Sequence, residues 1–109
     1  MSDITQSQMG VLYHVTIGSN VDSIWSDGVN PNYSKGKFDA SWYVSKDSIL
    51  WAILHVADRH DCKLDDIFVC AVVVDWRSMR RTNKSGRYYT KQCFKCETVN
   101  PARWFVEEL

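Results

Sequence analysis

The chain has 109 residues, 45% of them hydrophobic and 24% charged, and its 13 basic side chains balance 13 acidic ones. That bounds it to one domain with one modest core, and zero formal net charge excludes a whole-molecule field that would draw it to nucleic acid or membrane. No apolar run reaches the roughly 20 residues of a membrane helix, and the opening "MSDITQSQMG" lacks the basic and apolar regions of a secretory signal.

Residues 1–10 therefore read as a flexible polar arm and 11–109 as a single domain, with the cytoplasm as the expected location. For a viral or effector protein that becomes the host cytoplasm. Cys62, Cys70, Cys93 and Cys96 are then expected to be reduced thiols. "VLYHVTI" is rich in β-branched and aromatic residues and predicts a strand. Alternation puts Val11, Tyr13, Val15 and Ile17 on one face, which is expected to meet the core. His14 and Thr16 fall on the other face, where a ligand could lie. "SNVDSIWSDG" predicts a short helix, capped by Ser19 or Asn20, apolar at Val21, Ile24 and Trp25, and ended by Gly28. A polar, basic loop follows, "NPNYSKGKFD".

"ASWYVS" predicts a second strand, with Ser45 as the cap of a long helix, "KDSILWAILHVADRHD". Trp51, His55 and Arg59 recur at i, i+4 and i+8 along a flank of that helix. "DDIFVCAVVVDW" has the near-continuous apolar run of a central strand covered on both faces. "NKSG" predicts a turn and "RYYT" a returning strand. "CETVNPARWFVEEL" reads as one or two closing strands broken by Pro101. The outline is an α+β domain with two helices on a mainly antiparallel sheet.

"CFKC" (93–96) is a Cys-x-x-Cys without a matching second pair, so no metal is expected. Five tryptophans are more than a small core usually needs, which points to a cleft or an interface lined by some of them. Arg77, Arg80, Arg81, Lys84, Arg87, Lys91 and Lys95 fall in a stretch without a single acid, a ribbon suited to phosphates. Taken alone, the same ribbon is also what a solvated hairpin looks like, and a lone strand histidine is more often structural than ligating.

The order of "LYHVT", "NVDSIWSDGVNP", "SKGK" and "WYVSKDSILWAILHV" resembles the ADP-ribosyltransferase superfamily. The likeness is to the branch of the poly-ADP-ribose polymerases, diphtheria-type toxins and tRNA 2′-phosphotransferases, and it covers residues 11 to 60. It implies a split sheet and NAD as substrate. It also implies that His14 donates to the ribose 2′-hydroxyl, with Val15 and Thr16 beside it. Tyr43 would stack on nicotinamide, Ser45 would wall the pocket, and Glu97 would steady the positive charge on the ribose as nicotinamide leaves. Where many members carry Gly after the histidine, this chain has Val15, and Glu97 matches the acidic position poorly. That departure points toward the phosphotransferase-like branch, in which basic residues hold a substrate phosphate. Lys35, Lys37, Arg59, His60, Arg77, Arg80, Arg81 and Arg87 would serve here.

The resemblance thus implies a transferase that moves ADP-ribose to, or removes a 2′-phosphate from, a nucleic-acid or protein acceptor, with no membrane partner. A small toxin, phage effector or stand-alone RNA enzyme would suit its length. One alternative is a non-catalytic binder of NAD, an ADP-ribose derivative or a nucleotide signal on the same fold. Another is a nucleic-acid-binding module that uses the basic hairpin, with Trp and Tyr as stacking platforms.

Overall fold

The computed structural model describes residues 8–31 and 40–107. In chain order it contains β1 (Met9–Ile17), α1 (Val21–Asp27), β2 (Ser41–Val44), α2 (Ile49–His60), β3 (Ile67–Asp75), β4 (Arg80–Arg81), β5 (Arg87–Thr90), β6 (Cys96–Pro101) and α3 (Ala102–Glu107). The six strands form one sheet in the order β4-β5-β2-β1-β3-β6, and every neighbouring pair is antiparallel. The fold is α+β, as composition and patterning predict.

The expected split survives only as a seam. β1 and β3 pair along their whole length, from Met9–Asp75 to Ile17–Ile67. β1 and β2, by contrast, register at a single pair, Tyr13 and Val44. The halves β4-β5-β2 and β1-β3-β6 are therefore joined narrowly, beside His14.

Both faces of the sheet are packed. On one, Val44, Ile67 and Val69 meet Ile49, Ala52 and Ile53 of α2 and Ala102 of α3, with Tyr13 and Val15 against them. On the other, Leu12, Cys70, Val72 and Val74 meet Ile24 of α1 together with Val29, Tyr43, Met79 and Cys96. β3 supplies both clusters by strict alternation, which is why its sequence is almost continuously apolar. The expectation that His14 and Thr16 lie on an open face is thus corrected. Leu12 and Thr16, on that same face, are 1% and 5% exposed.

Three local readings also change. α2 begins at Ile49 rather than behind Ser45, because Lys46–Ser48 first make a 3₁₀ turn and Ser45 forms no side-chain cap. Pro101 ends β6, and the chain turns into α3 instead of another strand. Ala102, Phe105 and Val106, at i, i+3 and i+4, give that third helix its buried side. β1 starts at Met9, inside the stretch expected to be a free arm, and the Trp76 N–H holds Gln8 by its carbonyl. Gly28 does end α1, at φ 77°, with its N–H on the Ile24 carbonyl. A Cβ there would also press the Phe94 carbonyl at 2.8 Å. No helix among the described residues is long and apolar enough to cross a membrane.

Candidate functional site

Antiparallel partners step in opposite directions along their strands, so next to the Tyr13–Val44 pair His14 stands across from Tyr43. Their ring centroids are 5.8 Å apart. Tyr43 pairs onward with Tyr88, and Tyr88 with Arg81; on the other side His14 pairs with Cys70. One transverse row, Arg81–Tyr88–Tyr43–His14–Cys70, therefore crosses five strands on the α1 side of the sheet. At about 4.8 Å per strand, His14 and Arg81 lie roughly 14 Å apart along it.

His14 Nδ1 is 2.8 Å from the carbonyl oxygen of Trp42. Burial lowers the histidine's pKa below its ordinary value, against the opposing pull of that backbone bond. The imidazole is thus neutral, its Nδ1–H donates to Trp42, and Nε2 is left as an acceptor. The resemblance implies a donor toward a ribose hydroxyl; the geometry instead makes Nε2 the group that accepts from one.

Tyr43 is 1% exposed and sits inside the cluster of Leu12, Ile24, Val29 and Phe94. Its ring has no open face for a heterocycle, so the expected stacking role does not fit this arrangement. Its hydroxyl is buried without a hydrogen-bond partner among the described residues, and burial pushes its pKa far up. The open aromatic surface of this face lies further along the row. Trp76 and Tyr88 are 5.6 Å apart, and with Met79 and Arg81 they line a concavity of about 430 Å³. Trp76 lies across Gly10, where a Cβ would overlap the indole. Gly10 is what lets that ring approach the strand. Neither Trp76 nor Tyr88 stands out in sequence as a site residue; a glycine inside a strand was the available sign of a close approach.

The remaining candidates separate. Thr16 is buried, and its hydroxyl accepts from Asn20 Nδ2 at 3.1 Å, tying β1 to the turn before α1. Val15 points to the opposite face, into the α2 cluster. Ser45 ends β2 against the hairpin, its N–H on the Gly86 carbonyl at 2.8 Å. Glu97 is exposed on β6, with β3 between it and β1, so it does not join His14 and Tyr43. Arg59 and His60 are exposed in the last turn of α2. Lys35 and Lys37 lie outside the described residues.

The basic ribbon is divided by the pleat. Arg77 is held by Asp75, with Nη2 at 2.7 Å from Oδ2 and its backbone N–H on Oδ1. Those hydrogen bonds keep the Asp75 carboxyl below, and the Arg77 guanidinium above, their ordinary ranges. Arg81 falls on the row face beside Tyr88, whereas Arg80 and Arg87 fall on the α2 face, next to Tyr89 and Val44.

The two buried cysteines, Cys70 and Cys96, are unactivated. Burial, with the neighbouring Cys96, pushes the Cys70 thiol up to about 12, and burial also raises Cys96. Cys93 is exposed and bonds the Asp27 carbonyl, whereas Cys96 is buried and bonds the Thr98 carbonyl. The two sulfurs of "CFKC" are thus committed to different parts of the backbone.

Compared with protein-family models and with curated proteins, the chain matches none.

Proposed function

We propose that this chain is an ADP-ribosyltransferase-like nucleotide binder, taking NAD or an ADP-ribose derivative along the row from His14 to Arg81. The observation that carries the reading is the neutral His14 ring, fixed by Trp42 with Nε2 as acceptor, beside Tyr43 and in line with Tyr88 and Arg81. A ribose hydroxyl would donate to Nε2. A flat base would lie against the exposed side of Trp76 in the concavity beside Tyr88, and phosphate oxygens would accept from the Arg81 guanidinium. Tyr43 in the middle of the row is buried, so the ligand would occupy the concavity at Trp76, Tyr88 and Arg81, which supplies room for a ring, and would meet His14 only at its far end.

Binding is supported better than turnover. Glu97, the carboxylate expected at the reacting ribose, stands across β3 from His14. A second reading, transfer with a substrate phosphate in place of the missing carboxylate, is favoured by Arg81 on the row. Both readings are tested by incubating the pure protein with NAD, following free nicotinamide and measuring binding by calorimetry. Binding without nicotinamide release, lost in Arg81→Ala, supports the first. Release that disappears in His14→Ala supports the second, and no binding at all refutes both.

A further inference from the structure

The face opposite that row carries a second set of aromatic and cationic groups. Trp42 and Tyr89 are cross-strand partners on it, with ring centroids 5.1 Å apart, and Arg80 is the next residue across the sheet. Two positions along β5, Arg87 reaches over α2 and places its guanidinium carbon 3.3 Å from the Trp51 ring centroid. Trp51 in turn stacks on His55 at 5.1 Å and 15°. Arg80, Tyr89 and Trp42 thus form a floor, and Arg87, Trp51 and His55 a wall along the flank of α2.

Core packing does not account for this strip. Trp42 is 48% and Trp51 40% exposed. Arg80 and Arg87 pair with no carboxylate among the described residues, and the buried Nε–H of Arg87 has no acceptor there. The charge is local as well. Seven of the chain's thirteen Lys and Arg residues fall between Arg77 and Lys95, a stretch without an acid, while the whole chain is neutral.

We infer that this face binds single-stranded nucleic acid, with bases stacked on Trp42 and Tyr89 and phosphates held by Arg80 and Arg87. Neighbouring aromatic planes, here the exposed Trp42 and the half-buried Tyr89, accept bases whatever their identity, and guanidiniums without a carboxylate partner beside them track the backbone. An acidic peptide would satisfy the arginines but would leave the aromatic planes without flat partners. A duplex keeps its bases stacked inside, away from the floor. The inference does not depend on the nucleotide row, which lies on the other side of the sheet.

The test is fluorescence anisotropy of a labelled homopyrimidine strand of about 12 nucleotides, within the usual site size, titrated with the full chain. Expected are binding that weakens with salt, about a tenfold rise in Kd for Trp42→Ala and for Tyr89→Ala, and quenching of tryptophan fluorescence that Trp42→Phe reduces. Arg80→Glu, on an exposed two-residue strand, keeps the test valid if the aromatic variants fail to fold; it is expected to weaken binding and to make it less sensitive to salt. No binding overturns the inference. So does affinity unchanged in Arg80→Glu and in the folded aromatic variants, tighter binding of the matching duplex, or tighter binding of a poly-glutamate peptide, which would mark the face as a protein-docking site.

Discussion

His14 Nδ1 and the carbonyl oxygen of Trp42, 2.8 Å apart, tie the two halves of the sheet together where β1 and β2 register at one pair only. The imidazole spans the seam and is thereby locked in one tautomer. His14→Ala leaves the carbonyl without this donor and is expected to cost about 1–2 kcal/mol. His14→Asn places an amide N–H near the position of Nδ1 but puts nothing at Nε2. It is expected to keep most of the stability while losing nucleotide affinity. Denaturant unfolding and calorimetry on the two variants separate the structural nitrogen from the one proposed to meet the ligand.

Stability should also depend on pH through the same ring. Burial holds the folded pKa of His14 below its ordinary 6.5. As pH falls through 6.5, the unfolded chain takes up a proton that the native ring refuses, so the unfolding free energy falls until the folded pKa is reached. The contribution is fully present above 6.5. Urea unfolding followed from neutral to acidic pH is expected to show a loss that His14→Asn reduces.

Tyr43 makes a contrasting case. Its hydroxyl is buried without a partner among the described residues, so Tyr43→Phe removes an unsatisfied group at nearly constant volume. The variant is expected to be as stable as the parent, or more stable by up to about 1 kcal/mol. A loss of several kcal/mol in thermal or urea unfolding would show that the hydroxyl has a native partner.

Gly10→Ala should act on Trp76. The new methyl would overlap the indole, which must swing away from β1 and from Tyr88. A cost of about 1–3 kcal/mol is expected, along with a shift in tryptophan emission and weaker nucleotide binding as the concavity loses a wall.

Local pattern made much of this architecture legible. β3 was readable because its two faces serve two cores, and Gly28 because the positive φ at the end of α1 favours glycine. α3 was not, since Trp104 and Phe105 after Pro101 have strand-like composition, and only packing against α2 decides for a helix. The site was legible in half. The alternation in "LYHVTI" put His14 on the face of Leu12 and Thr16, and the resemblance named Tyr43, but that the two are neighbours required the register of β1 on β2. Burial of Tyr43 depends on residues far away in the chain, Ile24, Val29 and Phe94, which no strand pattern announces. The division of the arginines between two faces required the register of β4 on β5, a pairing of only two residues.

The most direct test of the central claim is isothermal calorimetry of NAD and ADP-ribose with the parent chain, His14→Asn and Arg81→Ala. Binding of at least one of the two ligands by the parent, weakened about tenfold or more in each variant while both stay folded, is the predicted result. No binding by the parent, or affinity unchanged in both folded variants, would contradict the assignment of the row from His14 to Arg81 as a nucleotide site.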